Sequence, residues 1–119
     1  MRPKLNEADV LRTVLDYLRV HRVFHWRANT GAAKVGKRFI RFGVPGVPDI
    51  CCIQRGVFIG IEVKAPDGKL SLVQAMFAEE VKLAGGLYRV CRSIEDVDAA
   101  LEEAEARRGS RSAWEEVRK

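Results

Sequence analysis

The widest gap in this sequence is in negative charge: no Asp or Glu occurs between Asp16 and Asp49. That span holds Arg19, Arg22, Arg27, Lys34, Lys37, Arg38 and Arg41. An acid-free run of this length reads as a phosphate-facing surface rather than as scattered solvation. Cysteine is scarce and odd in number: Cys51, Cys52 and Cys91 fit no metal-ligand spacing. They sit in apolar stretches, which points to reduced core thiols in a cytoplasmic protein. No apolar run approaches the roughly 18 residues of a membrane helix, and no signal peptide is evident. A soluble protein is the expectation. There is no internal repeat or low-complexity tract, and no Walker motif, so nucleotide triphosphate binding is not expected. His21 and His25 stand four apart, but no HExxH and no third ligand accompany them. They read as surface histidines, with at most a secondary role near phosphate.

What remains is an ordinary globular composition. The 119 residues suit one domain with a modest core, 47% being hydrophobic and 31% charged. A net charge of +5, from 21 basic and 16 acidic residues, suits a polyanionic partner.

Apolar spacing at Val10, Leu11, Val14, Leu15 and Leu18 predicts a helix over residues 7–20, capped by Asn6 with Asp9 three residues on. Glu7 falls in its first turn, where the helix dipole favours an acid. Residues 23–27 read as a strand, 28–37 as a basic, glycine-containing loop, and 38–42 as a further strand. Asn29, Thr30, Lys34 and Lys37 offer donors for phosphate oxygens in that loop, though a flexible loop would look the same. Two prolines stiffen residues 43–48 ahead of Asp49. After Pro66 and Gly68, Ser71 and Gln74 form a capping box for a second helix, with Leu72, Val73, Met76, Phe77, Val81 and Ala84 on one face. Gly85-Gly86 ends it. A strand over 87–91 makes a parallel crossover. Ser93 and Asp96 cap a third helix carrying Ile94, Val97, Leu101 and Ala104. From Arg107 the apolar pattern fades into a charged tail, 107–119, with Trp114 as its apolar anchor; a frayed tail or a partner-contacting helix is expected there. The architecture implied is α/β, a mixed sheet flanked by helices, in the order αβββαβα.

The chemistry concentrates in residues 48–64. Two apolar runs, 49–54 and 57–64, are separated by Arg55-Gly56, a hairpin signal. With these two as the turn, facing residues sum to 111, and Asp49 faces Glu62; Arg is a poor first residue for such a turn, and a longer loop would shift the pairing by one or two residues. Opposed side chains in such a pair lie roughly 4.5–5.5 Å apart at Cβ, and like charges there are destabilising. A divalent cation would compensate, since Mg²⁺ is typically held by one or two carboxylates plus water and substrate phosphate. Lys64 lies two residues on and shares Glu62's face. Two acids and a lysine on one face suit a metal-dependent phosphodiesterase; a surface hairpin with an exposed ion pair is the bland alternative.

Pro48-Asp49 and Glu62-Val63-Lys64 resemble the P-D…(D/E)-x-K signature of a nuclease superfamily. Asn29-Thr30-Gly31, Arg41 to Asp49, and Gly68-Lys69-Leu70-Ser71 with Gln74 are, in that order, similar to the virus-type replication–repair nuclease domain, VRR-NUC. The resemblance runs from about Glu7 to about Ala100. It implies a restriction-endonuclease-like core over residues 1–106. It also implies Mg²⁺ or Mn²⁺ held by Asp49, Glu62 and the Val63 carbonyl, with an acid at Glu7 contributing. Lys64 then orients the attacking water and Gln74 places water or phosphate. Asn29, Thr30, Lys34, Lys37, Arg38, Arg41 and Lys69 become nucleic-acid contacts. The compact stand-alone type implies a homodimeric endonuclease acting on branched DNA such as Holliday junctions. The alternatives are a nuclease of flaps or linear duplex, a non-catalytic nucleic-acid-binding module, or a domain whose charges only solvate it.

Overall fold

The computed structural model describes residues 6–28 and 31–118; residues 31–33, 40–42 and 108–118 are described by their backbone alone. The element order is α1 (Glu7–Val20), β1 (Phe24–Arg27), β2 (Gly31–Val35), β3 (Arg38–Phe42), β4 (Ile50–Gln54), β5 (Val57–Val63), α2 (Leu72–Leu83), β6 (Leu87–Cys91) and α3 (Ile94–Arg118). Four strands form a mixed sheet in the order β1-β4-β5-β6, and β2 and β3 pair in a separate two-stranded sheet. The α/β class with a mixed sheet and flanking helices is therefore as expected.

The hairpin register is the one the two-residue link dictates. Gln54 pairs with Val57 and Ile50 with Ile61, so each facing pair sums to 111. Arg55 (φ 54°) and Gly56 (φ 84°) both take positive φ, as the tight hairpin turn requires. Arg55 bears the strain of that region, and its side chain is tied to Glu105 at 3.1 Å. On the other side of β5, β6 runs parallel, with Gly60 beside Tyr88 and Glu62 beside Val90.

The two faces of this sheet differ. Ile50 and Cys52 of β4, Ile59, Ile61 and Val63 of β5, and Leu87 and Cys91 of β6 point to one face and are almost wholly buried. They pack with Val10, Val14 and Leu18 of α1 and Val97, Ala100, Leu101 and Ala104 of α3 in one core. Burial at β5 alone contributes roughly 1.5–3 kcal/mol for each such side chain. The opposite face carries Asp49, Cys51 and Ile53 along β4, Phe58, Gly60 and Glu62 along β5, and Tyr88 on β6. Alternation along a strand makes this necessary once the core face is set.

Helix ends follow their capping residues. Asn6 accepts the Asp9 amide at 2.8 Å, and Ser71 and Gln74 form a complete capping box. Beyond α2, Gly85 at φ 93° turns the chain into β6.

Two expectations need correction, and α2 and α3 add detail to two others. Five strands precede α2, not three, so the order is αβββββαβα. The expected loop over 28–37 contains β2, which pairs with β3 through a tight turn where Gly36 adopts φ 64°. Gly31, Ala32 and Ala33 have little strand propensity; pairing with residues 40–42 supplies what propensity lacks. The apolar face assigned to α2 is largely exposed: Leu72, Val73 and Met76 face solvent, Phe77 is half-buried, and Val81 alone is buried. Finally, the backbone of α3 continues to Arg118, so of the two forms expected for residues 107–118 the helix is the one present; Ala, Glu and Arg favour helix without an apolar stripe.

Candidate active site

The residues preceding Asp49 are held by close packing. Gly46 has φ 81°, and a Cβ there would collide with the Val73 carbonyl oxygen in the first turn of α2. Pro48 is fully buried on Gly60, where a Cβ would lie 2.8 Å from the proline Cγ. Gly60 is thus the notch that lets Pro48 lie against β5 and deliver Asp49 to the strand end. The Asp49 carbonyl accepts the Ala28 amide at 3.2 Å, which continues the β1–β4 pairing one step further.

Asp49 and Glu62 meet as the register demands. Glu62 Oε1 accepts the Asp49 amide at 3.2 Å, and Asp49 Oδ2 accepts the Val63 amide at 2.8 Å. Each acid is pinned by the other strand's backbone. Glu62 Oε2 accepts Gln74 Nε2 at 2.8 Å and lies 3.4 Å from Lys64 Nζ. Glu62 is only 3% exposed, and the Lys64 side chain 14%. This is not the exposed ion pair of the bland reading. Burial first, and then the neighbouring Asp49 carboxylate, push the Glu62 carboxyl up to about 7; Lys64 pulls in the opposite direction.

Gln74 joins helix and site. Its Oε1 accepts the Ser71 amide at 2.9 Å, closing the capping box, while its Nε2 donates to Glu62. One face of the amide meets an N–H and the other a carboxylate, so the network fixes which end is oxygen. Gln74 thus keeps its cap role while donating to Glu62. Lys64 is fixed as well: its amide donates to the Cys91 carbonyl at 3.2 Å, and Arg92 holds the Ala65 carbonyl at 3.1 Å.

Glu7 reaches this cluster only through Lys64, its Oε1 lying 4.0 Å from Nζ and its side chain half exposed. Among the described residues, no group of three or more His, Cys, Asp and Glu gathers to hold a metal. The protein donors present are therefore two carboxylates, with the Val63 carbonyl at the same strand end. A buried carboxyl raised to about 7 beside a half-buried carboxylate is an electrostatic deficit that one small hard divalent cation offsets, so the donor set fits Mg²⁺ or Mn²⁺.

The expected nucleic-acid contacts are spread along the chain. Lys34 on β2, Lys37 in the turn, Arg38 on β3 and Lys69 before α2 are exposed. Arg41 lies on β3, described by backbone alone, and Asn29 and Thr30 lie outside the described residues. His21 caps α1 and stacks on Tyr17, with ring centroids 4.1 Å apart, whereas His25 sits on β1 with Nδ1 2.7 Å from the Val23 carbonyl; the two do not pair.

Sequence reasoning overlooked Tyr88. Its hydroxyl is fully buried and without a hydrogen-bond partner among the described residues. Burial chiefly, and then Glu62 and Asp49, raise its pKa, which places the phenol in the field of the acidic pair. Its ring lies against Gly60 and 6.2 Å from Phe77. An aromatic in a β-strand carries no signal of this; only the glycine opposite it hints at close packing.

Compared with family models, curated proteins and solved structures, the chain finds no match. None of the described helices is long and apolar enough to cross a membrane.

Proposed function

We propose that this chain is a metal-dependent endodeoxyribonuclease of the VRR-NUC type, with a restriction-endonuclease-like core. The observation that carries the reading is the convergence of Asp49, Glu62, Lys64 and Gln74 at one strand end, with Glu62 buried beside Asp49. A non-catalytic binder gains nothing from two acids turned toward phosphate. When bound there, Mg²⁺ or Mn²⁺ supplies Lewis-acid polarisation and lowers the pKa of water.

The chain's own residues do the rest. Asp49 and Glu62 present oxygens fixed by opposite-strand amides, so little reorganisation is needed. Gln74 holds the Glu62 carboxylate in one rotamer. Lys64, 3.4 Å from that carboxylate, orients the attacking water and offsets charge developing on the phosphate. Glu7, 4.0 Å from Lys64, steadies the ammonium. The exposed Lys34, Lys37, Arg38 and Lys69 engage the phosphate backbone.

The substrate we favour is branched DNA such as a four-way junction, cut by a homodimer whose twofold axis relates two sites. End-labelled junction and linear duplex, incubated with Mg²⁺, test this. Junction cleavage that disappears in Asp49→Ala is expected. Equal cutting of linear duplex would remove the junction preference, and an active Asp49→Ala protein would remove the site.

A further inference from the structure

The sheet face that carries Asp49 and Glu62 is only half covered. Over β5 and β6, Phe58 and Tyr88 meet α2, through Gly86, Val81 and Phe77. Over β1 and the far end of β4 the described residues leave it open, although Cys51 between them is buried. Phe24 is 67% exposed, Trp26 42% and Ile53 38%, on a sheet whose other face is nearly dry. The two rings stand 5.6 Å apart, tilted by 49°.

The register places this patch. Trp26 pairs with Cys51 and Phe24 with Ile53, so both rings project on the face of Asp49. With the Ala28–Asp49 bond extending the ladder, Trp26 is the diagonal neighbour of Asp49, roughly 7–8 Å away. The indole is therefore within one nucleotide's reach of a phosphate held between Asp49 and Glu62. The surrounding sequence carries seven basic residues and no acid between Asp16 and Asp49. A polyanion is the matching partner. A large flat ring beside a phosphate site and inside a basic span is the arrangement that stacks nucleobases in single-stranded nucleic-acid binders.

We infer that Trp26, backed by Phe24, is a stacking platform for an unpaired nucleobase next to the phosphate bound at Asp49 and Glu62. The inference rests on the nuclease reading and adds that a nucleotide beside the scissile phosphate is unpaired when bound, as the centre of a branched DNA allows once a pair opens there. A base inside a duplex has no free face to offer and must first leave the stack.

The test uses the full chain with Ca²⁺ in place of Mg²⁺, so that the acidic pair can hold phosphate through a cation while cutting is suppressed. The probes are a mixed-sequence single-stranded oligonucleotide containing 2-aminopurine and a blunt duplex of the same length. Binding of the parent protein should quench the single-stranded 2-aminopurine signal. Trp26→Ala should weaken single-strand affinity by roughly 5- to 100-fold and change duplex affinity by less than about twofold. Trp26→Phe should retain most of the affinity. An unquenched probe bound to parent protein would overturn the inference without needing any variant to fold. So would a Trp26→Ala protein that binds both probes like the parent, or that loses both alike. A Trp26→Ala protein with unchanged binding and a halved particle mass would assign the patch to a second copy of the chain instead. If the parent cuts DNA with Mg²⁺ while these outcomes fail, the nuclease reading stands and the platform falls; a parent that binds neither probe sinks both.

Discussion

The two faces of the four-stranded sheet obey opposite rules. On one, Ile50, Cys52, Ile59, Ile61, Val63, Leu87 and Cys91 make a dry layer against α1 and α3. On the other, the same strands carry Asp49, Glu62 and Tyr88, with a buried acid, a lysine and a phenol lacking a partner among the described residues. Adjacent residues of β5, Ile61, Glu62 and Val63, are all buried, yet only the middle one is ionisable. The first face stabilises the fold; the second retains unfavourable electrostatics that a cation would relieve. The lesson is that one strand can hold both, because side chains alternate and a one-residue slip would exchange the two sets.

The comparison can be broken by substitutions that should affect one face and not the other. Asp49→Asn should abolish a metal-dependent contribution of several kcal/mol, lowering cleavage by roughly 10³-fold while the melting temperature holds or rises. A comparable loss of folding would mean that the acidic face is structural. Conversely, Ile59→Ala on the dry face should cost about 2–5 kcal/mol of stability, read from urea unfolding midpoints, and reduce activity only through the unfolded fraction.

The third prediction concerns pH. Glu62 titrates at about 7 in the folded chain against an ordinary 4.5, so the folded state holds its proton more tightly than the unfolded state does. The associated stability is fully present below about pH 4.5 and is lost as pH rises through about 7. The loss should approach roughly 3 kcal/mol without metal. Urea midpoints measured in EDTA from pH 5 to 8 should fall in the parent and stay flatter in Glu62→Gln. Added Mg²⁺ should reduce the parent's slope, and identical slopes in both proteins would contradict the cause assigned here.

The smallest expected effect lies where the faces meet the helix cap. Ser71→Ala should cost about 1 kcal/mol as a lost N-cap. Because Gln74 spans cap and site, it should also lower cleavage severalfold at saturating substrate. A stability loss with unchanged cleavage would show that Gln74 needs no help from the cap.

How much of this was legible in the sequence differs between the same two faces. The register was legible once Arg55-Gly56 is taken as the turn: a sum of 111 then places each pair of β4 and β5 and, one step beyond, brings Asp49 to Glu62, while a longer loop was the alternative that the structure removes. α1 and the core face of α3 were legible from apolar spacing. β2 was not, since glycine and alanine announce no strand and the pairing that creates it is not a local property. Nor was the exposure of Leu72 and Met76, because periodicity shows that a stripe exists and not whether anything covers it. Nothing in the sequence marks Gly46 and Gly60, and only the approach of Val73 and Pro48 reveals them as clearance for the acidic site.

Titration with Mn²⁺, followed by the loss of its free-ion electron paramagnetic resonance signal, tests the shared-ion site most directly. The parent protein should take up the ion at pH 7.5 and lose affinity steeply by pH 5.5, while Asp49→Asn and Glu62→Gln, each folded, should scarcely bind it. Equal uptake by all three proteins would contradict the account.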